Sequence, residues 1–196
     1  MSPKIKELLF ATGNKNKVKE IRAMLSNLPY HIVTMAEVGF YEEIPETGKT
    51  LEENAILKAK YLHHRTGKAV ISEDTGLEVD ALNGNPGVHT ARYAGDSRDA
   101  NQNMDLLLYH LKSCENRNAQ FRTVIALIDK GSVKTFEGIV RGYIANEKSG
   151  DKGFGYDPIF IPEGFEDTFG QMDMELKSTM SHRSRALRKL IEHLEQ

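Results

Sequence analysis

Residues 8–17 read Leu8-Leu9-Phe10-Ala11-Thr12-Gly13-Asn14-Lys15-Asn16-Lys17, an apolar run followed by a polar turn. The apolar run predicts a short buried strand, and apolar residues then recur at helical spacing to residue 28. A strand, a glycine-containing turn and a helix start place free backbone N–H groups and the positive end of the helix dipole at one point. Lysines stand where a first helical turn favours acids, which indicates a bound anion. The alternative is a solvated lysine-rich turn, since the Gly-x4-Gly-Lys-Ser/Thr spacing of a Walker loop is absent.

The composition bounds the class of protein. With 196 residues, the chain is predicted to form one domain over residues 1–196 with a sizeable core. Its 39% apolar and 28% charged residues are typical of a folded, water-soluble protein rather than a disordered one. The net charge of -2 gives no global attraction to nucleic acid, and the lone Cys114 excludes an internal disulfide and a Cys-based zinc site. Because neither a membrane-spanning apolar run nor a signal-type N-terminus occurs, we expect a cytoplasmic protein with no membrane or nucleic-acid partner.

Apolar spacing along the rest of the chain predicts alternating strands and helices. The clearest helix spans residues 50–65, begins with a capping box of Thr50 and Glu53, and ends at Gly67. Residues 69–71 predict a buried strand that opens onto an acidic cluster. Further strands are expected at residues 30–35 and 77–82, a long hairpin at residues 119–129 and 133–145, and helices at residues 100–111 and 184–194. This mixture favours an α/β fold with a mixed sheet.

The acidic cluster, Glu73 and Asp74, is predicted at the carboxyl end of the strand of residues 69–71. Ligands bind at that edge of open α/β sheets, and Mg2+ needs one or two carboxylates besides waters and phosphate oxygens. Glu46, in the loop before the capped helix, is predicted as a second ligand. Adjacent carboxylates on an extended chain point to opposite sides, so both need not bind one ion. The alternative is a polar strand end that leads into a turn.

Lys58 flanks the apolar stripe of the capped helix, one turn after Asn54 and on the same side. It is therefore predicted to emerge at the edge of the core, where a pocket can lie. The alternative is a lysine whose stem covers apolar surface while its charge stays in water.

An aromatic ring stands between two glycines in Gly153-Phe154-Gly155-Tyr156-Asp157. Glycine allows close approach to that ring, so a purine can stack on Phe154, and Asp157 can accept a hydrogen bond from a base N–H. The alternative places Phe154 in the core as the plug of a loop.

A second polar segment, Ser181-His182-Arg183, is predicted to open the last helix. Arg183 can donate to ring carbonyl oxygens, and Lys177 nearby is a further donor. Taken alone, His182 also fits an exposed neighbour of a helix cap.

Six segments together resemble the Ham1/inosine triphosphate pyrophosphatase family, in family order from residue 11 to residue 183. The segments are Ala11-Thr12-Gly13-Asn14 with Lys17; Glu46-Thr47-Gly48 leading to Glu53-Asn54-Ala55 and Lys58; Glu73-Asp74-Thr75-Gly76-Leu77; Pro86-Gly87 through Ala91-Arg92-Tyr93-Ala94-Gly95; Gly153-Phe154-Gly155-Tyr156-Asp157-Pro158; and Ser181-His182-Arg183. Two positions depart from the family pattern. His89 stands where relatives often carry an aromatic residue, and Glu73 where bacterial relatives often carry Asp.

The resemblance implies a Mg2+-dependent nucleoside triphosphate pyrophosphatase that cleanses the nucleotide pool. Its substrates would be the non-standard purine nucleotides ITP, dITP and XTP, and its products a nucleoside monophosphate and pyrophosphate. The resemblance also implies an elongated α/β structure of two lobes, with a mixed sheet, flanking helices and a central nucleotide cleft, and a homodimer.

The resemblance assigns roles to the residues as well. Asp74 would accept the proton, Glu46 and Asp74 would ligate Mg2+, and Glu73 is a further candidate ligand. The residues predicted to bind the substrate are Thr12, Gly13, Asn14, Lys15, Asn16, Lys17, Lys58, Thr75, Phe154, Gly155, Tyr156, Asp157, Lys177, His182 and Arg183.

Three other classes of protein compete with this hypothesis. A Maf-like nucleotide pyrophosphatase shares the general fold but prefers other bases, and the segments around Phe154 and His182 favour Ham1 over it. A nucleotide-binding sensor that does not hydrolyse has less use for several acids near phosphates. An RNA-binding module is disfavoured by the negative net charge.

Overall fold

The structure, a computed structural model, describes residues 6–196. Its strands are β1 (Lys6–Ala11), β2 (Tyr30–Thr34), β3 (Val70–Val79), β4 (Asn118–Asp129), β5 (Ser132–Ile144) and β6 (Phe160–Pro162). Its α-helices are α1 (Lys15–Met24), α2 (Leu51–Thr66), α3 (Ala100–His110), α4 (Met174–Met180) and α5 (His182–Leu194). Short 3-10 helices lie at Ala36–Val38, Asp80–Leu82, Gly87–Arg92 and Asp157–Ile159. No helix within residues 6–196 is long and apolar enough to cross a membrane.

The six strands form one sheet in the order β2-β1-β3-β4-β5-β6. β1 runs parallel to β2 and β3, so that Leu9 is in register with Val33 and Val70, whereas β5 and β6 are antiparallel. Lys130 and Gly131, which connect β4 to β5, both have positive φ angles, 49° and 79°, as the two-residue turns of hairpins require. The sheet is therefore mixed, as the sequence predicted.

The chain folds as two compact units, which we describe separately. Within the described residues, the first unit comprises residues 6–74, 124–137 and 186–196, and the second comprises residues 75–123 and 138–185. The core of the first unit contains Leu8, Phe10, Val18, Ile21, Leu25, Ile32, Ile71, Ile125, Leu127, Ala186, Leu187 and Leu190. The core of the second contains Leu77, Val79, Met104, Leu107, Leu111, Ala119, Phe121, Val140, Ile144, Tyr156, Ile159, Phe160, Phe169 and Met172. The single domain over residues 1–196 stays a prediction.

Helix α2 has the ends that its sequence predicted. Thr50 Oγ1 accepts the N–H of Glu53 at 3.1 Å, and the Glu53 carboxylate accepts the N–H of Thr50 at 3.2 Å, which completes the capping box. Gly67 closes the helix with a φ of 64°. These local signals each act within one helical turn, which is why they could be found in the sequence.

Strand β3 is longer than predicted. Residues 69–71 were expected to end at the acidic cluster, with a separate element at residues 77–82, but β3 continues from Val70 to Val79 through Glu73 and Asp74. The acids therefore lie in mid-strand, not at a strand end. Gly76 is not among the glycines with positive φ, so nothing in its backbone turns the chain there.

Two elements were missed by sequence reasoning, β6 with three residues and α4 with seven. Both are too short to show a repeating apolar pattern. In the same unit, Arg117 ties together segments that are distant in sequence, because its guanidinium donates to three backbone carbonyls. These are the carbonyls of Leu111 at 2.9 Å, Ile144 at 2.7 Å and Ala145 at 2.7 Å.

Candidate active site

The turn between β1 and α1 holds the first predicted cluster. Asn14 is the N-cap of α1, and its Oδ1 accepts the N–H groups of Asn16 at 2.9 Å and Lys17 at 3.3 Å. Thr12 Oγ1 accepts the N–H of Asn14 at 3.1 Å. The expectation of free N–H groups at this turn is therefore wrong for these three residues, because side chains cap them. Lys15 and Asn16 are exposed and the first turn of α1 has no acid, so positive charge remains the attraction for an anion here.

Glu73 is directed at Lys17. The Lys17 Nζ lies 3.2 Å from Glu73 Oε1, and the side chains are 15% and 2% exposed. A buried carboxylate is stable only with such compensation, so this pair fixes the Lys17 side chain beside Glu73. Because neighbouring residues of a strand point to opposite sides, Glu73 and Asp74 face different partners.

Lys58 is the centre of the acidic cluster. Its Nζ donates to Glu46 Oε1 at 2.6 Å, to Asp74 Oδ1 at 3.0 Å and to the backbone carbonyl of Glu73 at 2.9 Å. The predicted position at the edge of the core becomes a buried one, with the residue 8% exposed. Burial alone would lower the pKa of Lys58, but the charges of Asp74 and Glu46 outweigh burial and raise it. The ammonium group is therefore charged and satisfies all three of its donors.

The carboxyl group of Asp74 is more basic than an ordinary aspartate. Burial raises its pKa, Lys58 lowers it, the like charge of Glu46 raises it and Lys17 lowers it, with a net upward shift. A carboxylate of this kind takes up a proton more readily than one in water.

Glu46 and Asp74 fit a divalent cation. Both carboxylates lie within 3.0 Å of one cationic nitrogen, that of Lys58, so they converge on a single positive charge. Within residues 6–196, no group of three or more His, Cys, Asp or Glu side chains is arranged to hold a metal ion by itself. Two carboxylates suffice for Mg2+ when phosphate oxygens and waters complete its shell, so the donor set suits an ion that is shared with a substrate.

In the second unit, Asp157 organises the glycine-flanked aromatic loop. Its Oδ2 accepts the N–H of Phe154 at 2.7 Å and a hydrogen bond from Lys177 Nζ at 2.5 Å. Gly153 has a φ of 75°, and a Cβ there would strike the Asp157 carboxylate, so only glycine fits. Burial raises the pKa of Asp157, against the opposing effect of Lys177. Because Oδ2 is engaged within the protein, Asp157 shapes the loop; its predicted contact with a base stays a prediction.

Two cations lie close to the Phe154 ring. The Lys177 Nζ is 5.1 Å and the Arg183 Cζ 5.3 Å from the ring centroid, both within cation–π range. The ring itself is half-buried, not a core plug. An aromatic face beside two cationic hydrogen-bond donors suits a flat ring that carries carbonyl oxygens.

His182 and Tyr156 are built into the second unit. His182 is the first residue of α5, as predicted for its segment, but it is 4% exposed and not on the surface. Its ring stacks on Phe121, with centroids 4.6 Å apart and planes at 21°. The Tyr156 hydroxyl donates to the backbone carbonyl of Thr90 at 2.8 Å, and burial raises the pKa of Tyr156. In the same unit, the hydroxyl of Thr75 lies 2.8 Å from that of Thr123.

Comparison with known proteins identifies the family of the chain. The sequence profile of the Ham1 family matches residues 8–193. The chain belongs to the Ham1 family. It is 50% identical to the dITP/XTP pyrophosphatase of Flavobacterium psychrophilum over 95% of this chain and 97% of that protein.

Solved structures of Ham1 proteins have the same fold. The Ham1 protein of Staphylococcus aureus matches with a TM-score of 0.89 and 40% identity, covering 97% of this chain and 98% of that one. The HAM1 protein of Coxiella burnetii matches with a TM-score of 0.91 and 34% identity, at the same coverages. The family and the α/β class predicted from the sequence are confirmed.

Sequence reasoning missed the residues that support the Ham1 motifs. The alternation of residues 119–129 predicts a strand that contains Phe121 but not the packing of its ring against His182. The position of Asn54 on α2 does not predict its contact with the loop that carries Glu46. Neither residue type signals such a role, because both depend on a partner from another segment.

Proposed function

We propose that this chain is a nucleoside triphosphate pyrophosphatase that converts ITP, dITP and XTP to the nucleoside monophosphate and pyrophosphate. The observation that carries the proposal is the convergence of Glu46 and Asp74 on the buried charge of Lys58, near the Lys17–Glu73 pair. Family membership and the names of relatives such as the Flavobacterium psychrophilum enzyme support the activity. The predicted hydrolase function is thereby confirmed at the level of the family.

The first unit would bind the triphosphate and one Mg2+ ion. The side chains of Glu46 and Asp74 would hold the ion. Glu73 would not bind it, because its carboxylate pairs with Lys17. The bound ion would neutralise charge on the phosphates and on the leaving pyrophosphate. Lys15, Lys17 and the Thr12–Asn14 turn would add hydrogen bonds for the phosphate oxygens, and Lys58 would add fixed positive charge behind the two carboxylates.

Asp74 would act as the general base. A water molecule attacks the α-phosphorus, its proton passes to the Asp74 carboxylate, and the bond from the α-phosphorus to the bridging oxygen breaks. That oxygen leaves with pyrophosphate, and a nucleoside monophosphate remains.

The second unit would recognise the base. Phe154 would stack on the purine, while Arg183, Lys177 and the buried His182 would lie against its polar edge. Hypoxanthine and xanthine present a 6-oxo acceptor to Arg183, whereas adenine presents an amino donor that leaves the guanidinium unsatisfied. Losses of that kind discriminate strongly between substrates.

A homodimer and a cytoplasmic location remain part of the proposal through the Ham1 resemblance. Gel filtration with light scattering measures the first, and fractionation of cells measures the second.

The test is release of pyrophosphate from ITP, XTP, dATP, dGTP and dTTP with Mg2+, for the wild-type protein and for Asp74→Asn. We expect ITP and XTP to be strongly preferred, and the variant to lose about 100-fold or more of the rate, as loss of a general base does. Chelation with EDTA is expected to abolish release.

Equal turnover of all five nucleotides would indicate a pyrophosphatase of Maf-like or broad specificity. Binding without release would indicate a nucleotide sensor. An Asp74→Asn variant that keeps the full rate would remove Asp74 from its proposed role.

A further inference from the structure

Asn54 is a buried polar residue of α2 with a partner outside the helix. Asn54 is 2% exposed, and its Oδ1 accepts a hydrogen bond from the N–H of Gly48 at 2.7 Å. Buried amide groups are costly unless they are hydrogen-bonded, so this contact fixes the side chain as well as the loop. The bond therefore ties the loop before α2 to the buried face of the helix.

The backbone of the loop before α2 lies against the first turn of the helix at Gly48. A Cβ added to Gly48 would lie 2.7 Å from Asn54 Oδ1, 2.7 Å from Glu53 Cβ and 2.9 Å from the backbone nitrogen of Asn54. Two of these atoms are fixed by the helix, so no side chain fits at residue 48 without moving the loop. The next residues are tied down too, since Glu53 Oε2 accepts the N–H of Lys49 at 2.6 Å.

Two contacts tie the segment of residues 46–48 to α2. At one end Gly48 meets Asn54, and at the other Glu46 Oε1 meets Lys58 Nζ at 2.6 Å. Asn54 and Lys58 are four residues apart, a rise of ~6 Å. Gly48 and Glu46 are two residues apart, and an extended chain spans up to about 7 Å over two residues. Because only two residues of chain separate them, fixing the backbone of Gly48 limits where the backbone of Glu46 can lie.

We propose that Asn54 is a positioning residue that holds the Glu46 carboxylate at the Mg2+ site through the backbone of Gly48. The inference rests on the proposed function, in which Glu46 and Asp74 hold the ion. Asn54 does not touch the ion in this scheme; it sets the position of a ligand. Groups that orient a ligand in this way commonly change metal affinity by about 10–100-fold when they are removed.

The experiment compares wild type with Asn54→Leu, which keeps the side-chain shape but lacks the acceptor, and with Gly48→Ala, which displaces the loop while Asn54 is intact. Binding of MgCl2 is measured by isothermal titration calorimetry on protein saturated with an ITP analogue that has a methylene group between the α- and β-phosphorus atoms and so cannot be cleaved. We expect each variant to weaken Mg2+ binding by about 10-fold or more. The double variant is expected to be no weaker than either single one, because both changes break one contact. With ITP and saturating Mg2+, kcat should change far less than the Mg2+ requirement.

Two controls separate positioning from a general loss of structure. Glu52→Gln alters an exposed residue in the same helical turn and should keep wild-type Mg2+ affinity. Asn54→Asp keeps an acceptor oxygen, so it should retain the slow hydrogen exchange of the Gly48 amide, which Asn54→Leu should lose.

Several results would overturn the inference. These are Mg2+ affinity unchanged in Asn54→Leu and Gly48→Ala, equal losses in Glu52→Gln, or additive losses in the double variant. A wild-type protein that neither binds Mg2+ nor hydrolyses ITP would overturn the proposed function and the metal-positioning role together. In that case the hydrogen exchange of the Gly48 amide decides what remains. Fast exchange in wild type would show that the Gly48–Asn54 hydrogen bond does not form, whereas slow exchange would show that Asn54 still anchors the loop.

Discussion

Removing the charge of Lys177 should destabilise the protein in a pH-dependent way. Lys177 and Asp157 form a salt bridge of 2.5 Å in the second unit, with side chains that are 8% and 3% exposed. The change Lys177→Met keeps the length of the apolar stem but removes the ammonium group that pairs with the buried Asp157 carboxylate. That carboxylate keeps the N–H of Phe154 at 2.7 Å and the charge of Arg183.

The expected loss is large because a buried carboxylate loses the partner of its salt bridge. Breaking a buried pair in this way costs about 3–5 kcal/mol of the free energy of unfolding at neutral pH. For a protein of this size, that corresponds to a fall in melting temperature of about 6–20 °C. An exposed pair is worth about 1 kcal/mol or less, so the two cases are easily separated.

The pH dependence follows from the direction of the pKa shift of Asp157. Burial raises that pKa above its ordinary value of 3.8, and Lys177 opposes the shift. A carboxyl group with a raised folded-state pKa binds a proton on folding, so its contribution to stability is lost as pH rises through that pKa. Without the opposing charge of Lys177, the upward shift in the pKa of Asp157 becomes larger. The variant should therefore lie closest to wild type at acid pH and furthest from it at neutral and alkaline pH.

Urea denaturation of each protein over a series of pH values measures this difference. The matched control is Lys152→Met, which breaks the exposed pair of Lys152 and Asp173 in the same unit. A double variant, Lys177→Met with Asp157→Asn, removes the stranded charge and keeps an acceptor for Phe154. It should be more stable than Lys177→Met alone at neutral pH.

A Lys177→Met variant that loses no more stability than Lys152→Met at neutral pH would show that the Lys177–Asp157 pair does not stabilise the fold. The same loss at every pH, or a double variant that is less stable than Lys177→Met, would show that the charge of Asp157 is not the cause of the loss.

Two further predictions concern the second unit. The change Arg117→Lys should lower the free energy of unfolding by about 1–3 kcal/mol, because an ammonium group lacks the planar guanidinium that donates to three carbonyls here. Urea denaturation measures this loss, and an unchanged denaturation midpoint would show that these hydrogen bonds add no stability. The change Phe154→Leu should raise the KM for ITP by about 5–150-fold, the equivalent of ~1–3 kcal/mol of stacking. Steady-state kinetics measure that KM, and a value within about twofold of wild type would exclude stacking on this ring.

Local features of the fold could be predicted from the sequence. Thr50, Glu53 and Gly67 marked the ends of α2 because caps act between residues within one turn. The Lys130-Gly131 turn could be placed between two alternating strands for the same reason. The mid-strand position of Glu73 and Asp74 could not, because the length of β3 depends on pairing with strands distant in sequence.

The α/β class, the family and the residue types available for chemistry can be read from the amino-acid sequence, because caps, apolar periods and ordered motifs are local or additive signals. How those residues pair depends on the folded structure. There Glu73 pairs with Lys17, Lys58 lies between Glu46 and Asp74, and Asp157 is buried with Lys177. Burial and charge compensation of this kind arise between distant segments that packing brings together. The sequence shows only that a residue carries a carboxyl group; its partner and its burial determine whether it acts as a base, a metal ligand or a structural contact.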